Sequence, residues 1–312
     1  MIDYTIDGDE NAKNIINTIG AFTPNGDGAQ EVNIETITKE ALTALNENGG
    51  DANVATGYHA IEFLLWGQDP HNTEAPTTAG QRPVSDYTTA DFADRRKAYL
   101  LAVTEKMVMD LETVASAWKK GDSKNYRSAF LGEHEVAANN LDTLENAKTI
   151  LAGLGVYIAS EVANERIAVA VQIQNQEDEH SCFSDNTHVD ITEDVRGFWN
   201  ILNGEYNNIN TDTPEIKAED TTSFLDLVNG TTRDTVRAAY TSYWSKIELM
   251  NRTVANKHFD HQILEVNTVE RKNISDIKNE LRNAGDTVVK IAEDLGISLT
   301  ADNVTDPDET KL

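Results

Sequence analysis

The amino-acid sequence predicts an all-α fold of two helical-bundle halves that share long helices. Apolar residues recur at steps of three and four along most of the chain, and strand-like alternation is nowhere sustained. The chain has 312 residues, more than the roughly 250–300 at which a single hydrophobic core stops growing. We therefore expect an N-terminal half over residues 1–150 and a C-terminal half over residues 151–312.

The helices of the first half are bounded by glycines. A first helix is expected to end at Gly49, a second at Gly67 and a long third one at Gly121, because glycine commonly follows the last helical turn. Residues 67–89 contain half of the six prolines, and such a long connection is typical of a functional segment or a lid. The predicted helices cover approximately residues 34–46, 53–66, 90–120 and 124–131.

The second half begins within a long helical run. This run is expected to cover approximately residues 135–174 and to kink or split at Gly153 and Gly155. An acidic stretch over residues 175–186 then breaks the periodicity. Further helices are predicted at approximately residues 187–202, 222–228, 231–255 and 267–295.

Composition excludes several classes of function. With 26 basic and 53 acidic residues the formal charge is −27, which disfavours nucleic acid and anionic membrane surfaces but suits cations and basic partners. No apolar run approaches the roughly 18 residues of a transmembrane helix. The only cysteine, Cys182, rules out an intrachain disulfide and a cysteine-based zinc knuckle. Phosphate-loop and serine-elbow motifs are missing, and His134-Glu135 lacks the second histidine of HExxH because Ala138 stands there.

The segment ATGYHAIEFLLWGQD contains the first candidate site. On a helical wheel, Glu62 falls within an apolar stripe and His59 lies at its edge, on the same side of the helix. A buried carboxylate is costly unless a cation or several donors meet it. Gly57 suggests close approach of a backbone or a ligand. The alternative is a His59–Glu62 hydrogen bond within the core. The stripe consists of Val54, Ala55, Tyr58, Ile61, Leu65 and Trp66.

The segment QEDEHSCFSDNTHVD contains the second candidate site. Glu177 with His180, and Asp185 with His188, have the carboxylate-x-x-His spacing of metal sites in helical bundles, and Asp190 follows. Oxygen and imidazole ligands suit iron, manganese or zinc, and Cys182 would add a soft ligand. The alternative is a solvated acidic loop in which Asp185 or Asn186 caps the next helix. The tetrapeptide His258-Phe259-Asp260-His261 is a third ligand candidate, for which a loop at a helix end is the alternative.

These motifs resemble the imelysin family, whose mark is GxHxxE, here Gly57-Tyr58-His59-Ala60-Ile61-Glu62. The likeness extends to QEDEHSCFSDNTH and HFDHQI and covers residues 36–299. It implies an all-helical fold of two bundle halves with the motif near their junction, export to the periplasm or outer membrane, and a link to iron acquisition. Family members have a leader and further helices before the position of Met1, so the first bundle is expected to be N-terminally incomplete.

The resemblance therefore implies an envelope metal-binding protein in iron uptake or handling, binding iron or zinc and working with an envelope iron-uptake partner protein. One alternative is a zinc peptidase with Glu62 as general base, since the family carries a peptidase label. Another is a module that binds a peptide or a small ligand without metal. The expected metal ligands are His59, Glu62, Glu179, His180, Asp185 and His188. The expected pocket residues are Gly57, Tyr58, Trp66, Cys182, Ser184 and Asn186.

Overall fold

The computed structural model confirms the all-α fold. It describes residues 1–5, 8–9, 11–70, 79–133, 143–206, 216–217, 219 and 221–300, without the side chains of 143 and 144. About 60% of the described residues are helical, against about a third in an average globular protein. Over the described ranges, the strands are β1 (Ala21–Phe22) and β2 (Val32–Asn33), which pair antiparallel. No described helix has the length and apolarity needed to cross a membrane.

The described residues form α-helices, 3₁₀ helices and a π-helix. A 3₁₀ helix lies at Val84–Tyr87, another at Gln176–Asp178, and a π-helix at Tyr157–Ala168 continues α5 into α6. The α-helices are α1 Lys39–Leu45, α2 Tyr58–Trp66, α3 Ala93–Ala117, α4 Tyr126–Phe130, α5 Thr143–Val156, α6 Val169–Ile173, α7 Thr187–Asn203, α8 Phe224–Leu227, α9 Gly230–Val254, α10 Phe259–Leu264 and α11 Val269–Asp294.

The two earliest helices start later than predicted. Thr38 caps α1 by accepting a hydrogen bond from the Ala41 backbone N–H, so residues 34–38 lie before the helix. The second helix begins only after Gly57, whose φ of 95° is outside the helical region. Glycine adopts this conformation without the steric cost that a side chain would add. The predicted helix over 53–66 is therefore shortened to Tyr58–Trp66.

The glycines of the long central run do not split it. Helix α5 continues through Gly153 and Gly155 and changes to π-helical winding only at Tyr157. The predicted split at these glycines is wrong, whereas the predicted end at Gln174 is confirmed by its left-handed φ of 56°. The expected start of this run, including His134, lies outside the described residues. Residues 71–78 of the expected lid also lie outside them.

The chain divides into two compact units, Met1–Ser128 and Ala129–Leu312. The first unit has a core formed around Ile15, Leu42, Leu64 and Tyr99. The larger core of the second unit is formed by α5, the π-helix, α7, α9 and α11, with Phe198 and Tyr243 among its fully buried aromatic side chains.

Within the second unit, hydrogen bonds hold α10 against α6 and α11. The Arg271 guanidinium on α11 donates to the backbone oxygens of Val171 on α6, at 2.7 Å, and of Ile263 on α10. Gln174 at the end of α6 donates to the Leu264 oxygen at 2.7 Å. The ends of α6 and α10 are thereby brought side by side.

Candidate metal centre

The His59–Glu62 pair predicted on the first unit is formed. The Nδ1 atom of His59 lies 2.9 Å from Oε2 of Glu62, three residues further along α2. The Glu62 side chain is 10% exposed and that of His59 is 43% exposed. The Glu62 carboxylate is therefore buried, as predicted, and the His59 imidazole reaches solvent.

The predicted apolar stripe around this pair is wrong in part. Ala60, Phe63 and Leu64 are buried with Glu62, whereas Tyr58, Leu65 and Trp66 are exposed. Val54 and Ala55 precede the helix and do not share its phase. Within the helix, apolar residues occur on every side, so the period alone does not specify which side is buried. A Cβ built on Gly57 would meet no described atom within 4 Å, so the glycine satisfies a backbone angle and not a close approach.

In the second unit, Asp185, His258 and Asp260 come together. One ligand atom from each lies within 4.8 Å of the others, and among the described residues no other His, Cys, Asp or Glu side chains form such a group of three. Nδ1 of His258 lies 3.4 Å from Oδ2 of Asp185. Asp185 is 5% exposed and Asp260 is 1% exposed, so two carboxylates share a buried space with one imidazole.

The local chain geometry explains this meeting. Asp185 occupies a left-handed conformation, with φ of 56°, in the turn before α7. His258 is the N-cap residue of α10, and Asp260 lies in that helix's first turn. The Gln176 side chain, 5% exposed, donates a 2.5 Å hydrogen bond to Oδ2 of Asp260 and fixes that carboxylate.

Two further histidines belong to the same neighbourhood. Burial lowers the pKa of the His188 imidazole, a hydrogen bond with the Asp185 backbone opposes that shift, and the nearby His258 ring adds to it. The lowered pKa favours the neutral imidazole, the form that coordinates metals. Nε2 of His261 lies 3.6 Å from Oδ2 of Asp260.

The donor set of this cluster fits a metal ion. Nδ1 of His258 and Nε2 of His261 are buried and have no hydrogen-bond partner among the described residues. Buried polar atoms without partners are uncommon because they lose the solvation that water provides. Carboxylate oxygens with imidazole nitrogens are the ligands of iron, manganese and zinc, and a cation would offset the repulsion between the two carboxylates.

The other predicted ligands of this segment occupy different surroundings. His180 Nδ1 lies 2.8 Å from Oδ2 of Asp190, and the Ser181 hydroxyl also donates to that oxygen. Glu179 and Cys182 are buried. The metal roles of His180 and Glu179 stay predictions, as do those of the pocket residues Cys182 and Ser184. Asn186 is the N-cap residue of α7, but its side chain makes no capping hydrogen bond.

Sequence reasoning identified Asp185 and His188 but favoured a helix-end loop for His258 and Asp260. The helix-end position is confirmed, since His258 is the N-cap residue of α10, and its ring also lies beside Asp185. The ligand role of this segment stays a prediction. The HFDH pattern was the available signal. No sequence signal indicated Gln176, because a glutamine close to a carboxylate-histidine pattern is common.

A comparison with protein-family models matches the imelysin family over residues 1–288. No curated protein matches the chain.

Proposed function

The chain belongs to the imelysin family, and on that premise we propose that it is a metal-binding protein whose second unit holds the ion at Asp185, His258 and Asp260. His188 completes the set from the first turn of α7. The supporting observation is the group of three ligand atoms within 4.8 Å of one another in a largely buried site. A bound ion would supply positive charge to two carboxylates that otherwise repel each other.

We further propose that the ion is iron and that the protein serves iron uptake or handling in the bacterial envelope, alongside an envelope partner protein. The family resemblance supports this assignment, and the oxygen and nitrogen donors are compatible with iron as well as zinc. The strongly acidic chain, with a net charge of −27, would attract cations to its surface.

A peptidase role has less support. It needs Glu62 near a metal ion, but no group of three ligand side chains among the described residues includes Glu62. A hydrolysis assay with a mixed peptide substrate, with and without chelator, separates the two roles, and we expect no chelator-sensitive cleavage.

Calorimetric titration of metal-free protein with Fe²⁺ and with Zn²⁺ tests the metal centre. We expect Asp260→Asn to weaken binding at least tenfold, about 1.4 kcal/mol, because it preserves size and removes charge. Asp286→Asn on the exposed surface of α11 is the matched control and should leave the affinity unchanged. Equal affinities in wild type and Asp260→Asn would contradict the proposal.

The same titration addresses His59 and Glu62, which remain predicted ligands. If they bind metal, Glu62→Gln and His59→Ala should each lower affinity at least tenfold, and the two losses should be less than additive. If they form a structural pair, Glu62→Gln changes the free energy of unfolding and leaves the affinity unchanged.

A further inference from the structure

Two cationic side chains of α11 lie one turn apart beside the π-helix of the second unit. Nε of Arg282 donates a 2.6 Å hydrogen bond to Oδ1 of Asn164, which is 1% exposed on the π-helix. Lys278 precedes Arg282 by four residues and therefore lies on the same side of α11. π-helical turns occur frequently at functional sites, and here one supplies Asn164.

The Arg282 guanidinium lacks a full set of partners. Its Nη2 atom is buried and has no hydrogen-bond partner in the described chain. Among the described residues, neither Arg282 nor Lys278 forms an ion pair, although the chain has 53 acidic residues. Asp286, one turn beyond Arg282, is exposed and does not pair with it. A buried donor on a charged group is costly to leave unmatched.

The two cations also disfavour each other. Partial burial lowers the pKa of the Lys278 ammonium, and the neighbouring Arg282 charge lowers it further. Two like charges drawn together at a partly buried place are stabilised by an anion that contacts both. Arginine presents its N–H groups as a planar fork suited to carboxylate and phosphate oxygens, and lysine adds a point charge.

We propose that Arg282 and Lys278, with Asn164 holding the guanidinium in place, form a binding site for an oxyanion group, a carboxylate or a phosphate on a small molecule. The site shares no residue with the metal centre. It is therefore independent of the proposed metal function and can be tested in metal-free protein.

The test is calorimetric titration of the metal-free 312-residue chain with inorganic phosphate and, separately, with acetate, at ionic strength held constant with chloride. We expect one anion per chain to bind wild type and Lys278→Met and Arg282→Met each to weaken binding at least tenfold. Lys290→Met removes an exposed lysine from the same helix and should bind as wild type does. A heat of binding with phosphate but not with acetate assigns the bound group as a phosphate. A heat of binding with acetate but not with phosphate assigns it as a carboxylate.

Two results overturn the proposal. One is wild type that binds neither anion, and the other is Lys278→Met that binds as tightly as wild type. If Arg282→Met fails to show the helical circular dichroism of wild type, the comparison of Lys278→Met with Lys290→Met decides alone, because Lys278 makes no described hydrogen bond that folding would lose.

Discussion

At the scale of single residues, Asp185 combines an uncommon backbone conformation with a buried carboxylate. Its left-handed φ of 56° is a conformation that Asp and Asn adopt more readily than most residues, and still at some cost. The turn directs the 5% exposed side chain toward His258, 3.4 Å away. Asp185→Asn keeps the backbone preference and removes the charge, which makes it a clean probe of ligand chemistry.

The orientation of Asp260 gives a prediction at the same scale. Gln176→Leu removes the 2.5 Å hydrogen bond to Oδ2 of Asp260, and loss of such a supporting contact typically lowers metal affinity about 10–100-fold. Calorimetric titration with Zn²⁺ measures the change. Gln172→Leu on α6 is the matched control, because Gln172 is exposed. Equal losses in both variants would contradict the positioning role of Gln176.

At the scale of elements, α2 shows that a helix with apolar residues on every side can bury a face other than the predicted one. Its buried apolar residues are Ala60, Phe63 and Leu64. Leu65, the next residue, is 47% exposed, and Leu64 is fully buried. Neighbouring leucines of one helix therefore differ in what they contribute to folding.

We accordingly expect Leu64→Ala to lower the free energy of unfolding by about 2–5 kcal/mol, the usual result of deleting a buried leucine side chain. Leu65→Ala should cost less than about 1 kcal/mol, as surface substitutions do. Urea denaturation followed by circular dichroism measures both. A larger loss of unfolding free energy for Leu65→Ala than for Leu64→Ala would contradict this assignment and support the buried face predicted from the helical wheel.

The start of α8 gives a pH-dependent prediction. Hydrogen bonds from the backbone and side chain of Ser223 lower the pKa of Asp226, which accepts them in a capping box. The folded-state pKa is below the unfolded value, so the cap's contribution is present above about pH 3.8 and is lost as pH falls through the lowered pKa. NMR titration of the Asp226 carboxyl should give a midpoint below that of a free aspartate. A midpoint at or above it would contradict the cap.

At the scale of the whole molecule, the net charge of −27 acts against compactness. Like charges on a folded surface repel, and salt screens them over a distance that falls from about 30 Å at 0.01 M to about 8 Å at 0.15 M. We expect the melting temperature to rise when NaCl increases between these concentrations. Differential scanning calorimetry measures it, and a fall would show that attractive ion pairs dominate.

The sequence was sufficient for the fold class and for most helices because the period of 3.6 residues extends over long runs. It failed where one residue changes the local outcome, as Gly57 does by delaying α2 and Thr38 by capping α1. In the site, DxxH spacing identified Asp185 and His188. Their meeting with His258 and Asp260 depends on the packing of α10 against α6 and α11, which no local pattern records.

The most direct test of the metal centre is an anomalous difference map from crystals of the protein loaded with Fe²⁺ or Zn²⁺ and measured at the metal's absorption edge. The proposed function predicts a peak among Asp185, His258 and Asp260, at about 2.0–2.2 Å from the coordinating oxygen and nitrogen atoms. A loaded crystal with no peak there, or with its only peak elsewhere, such as at His59 and Glu62, would contradict it.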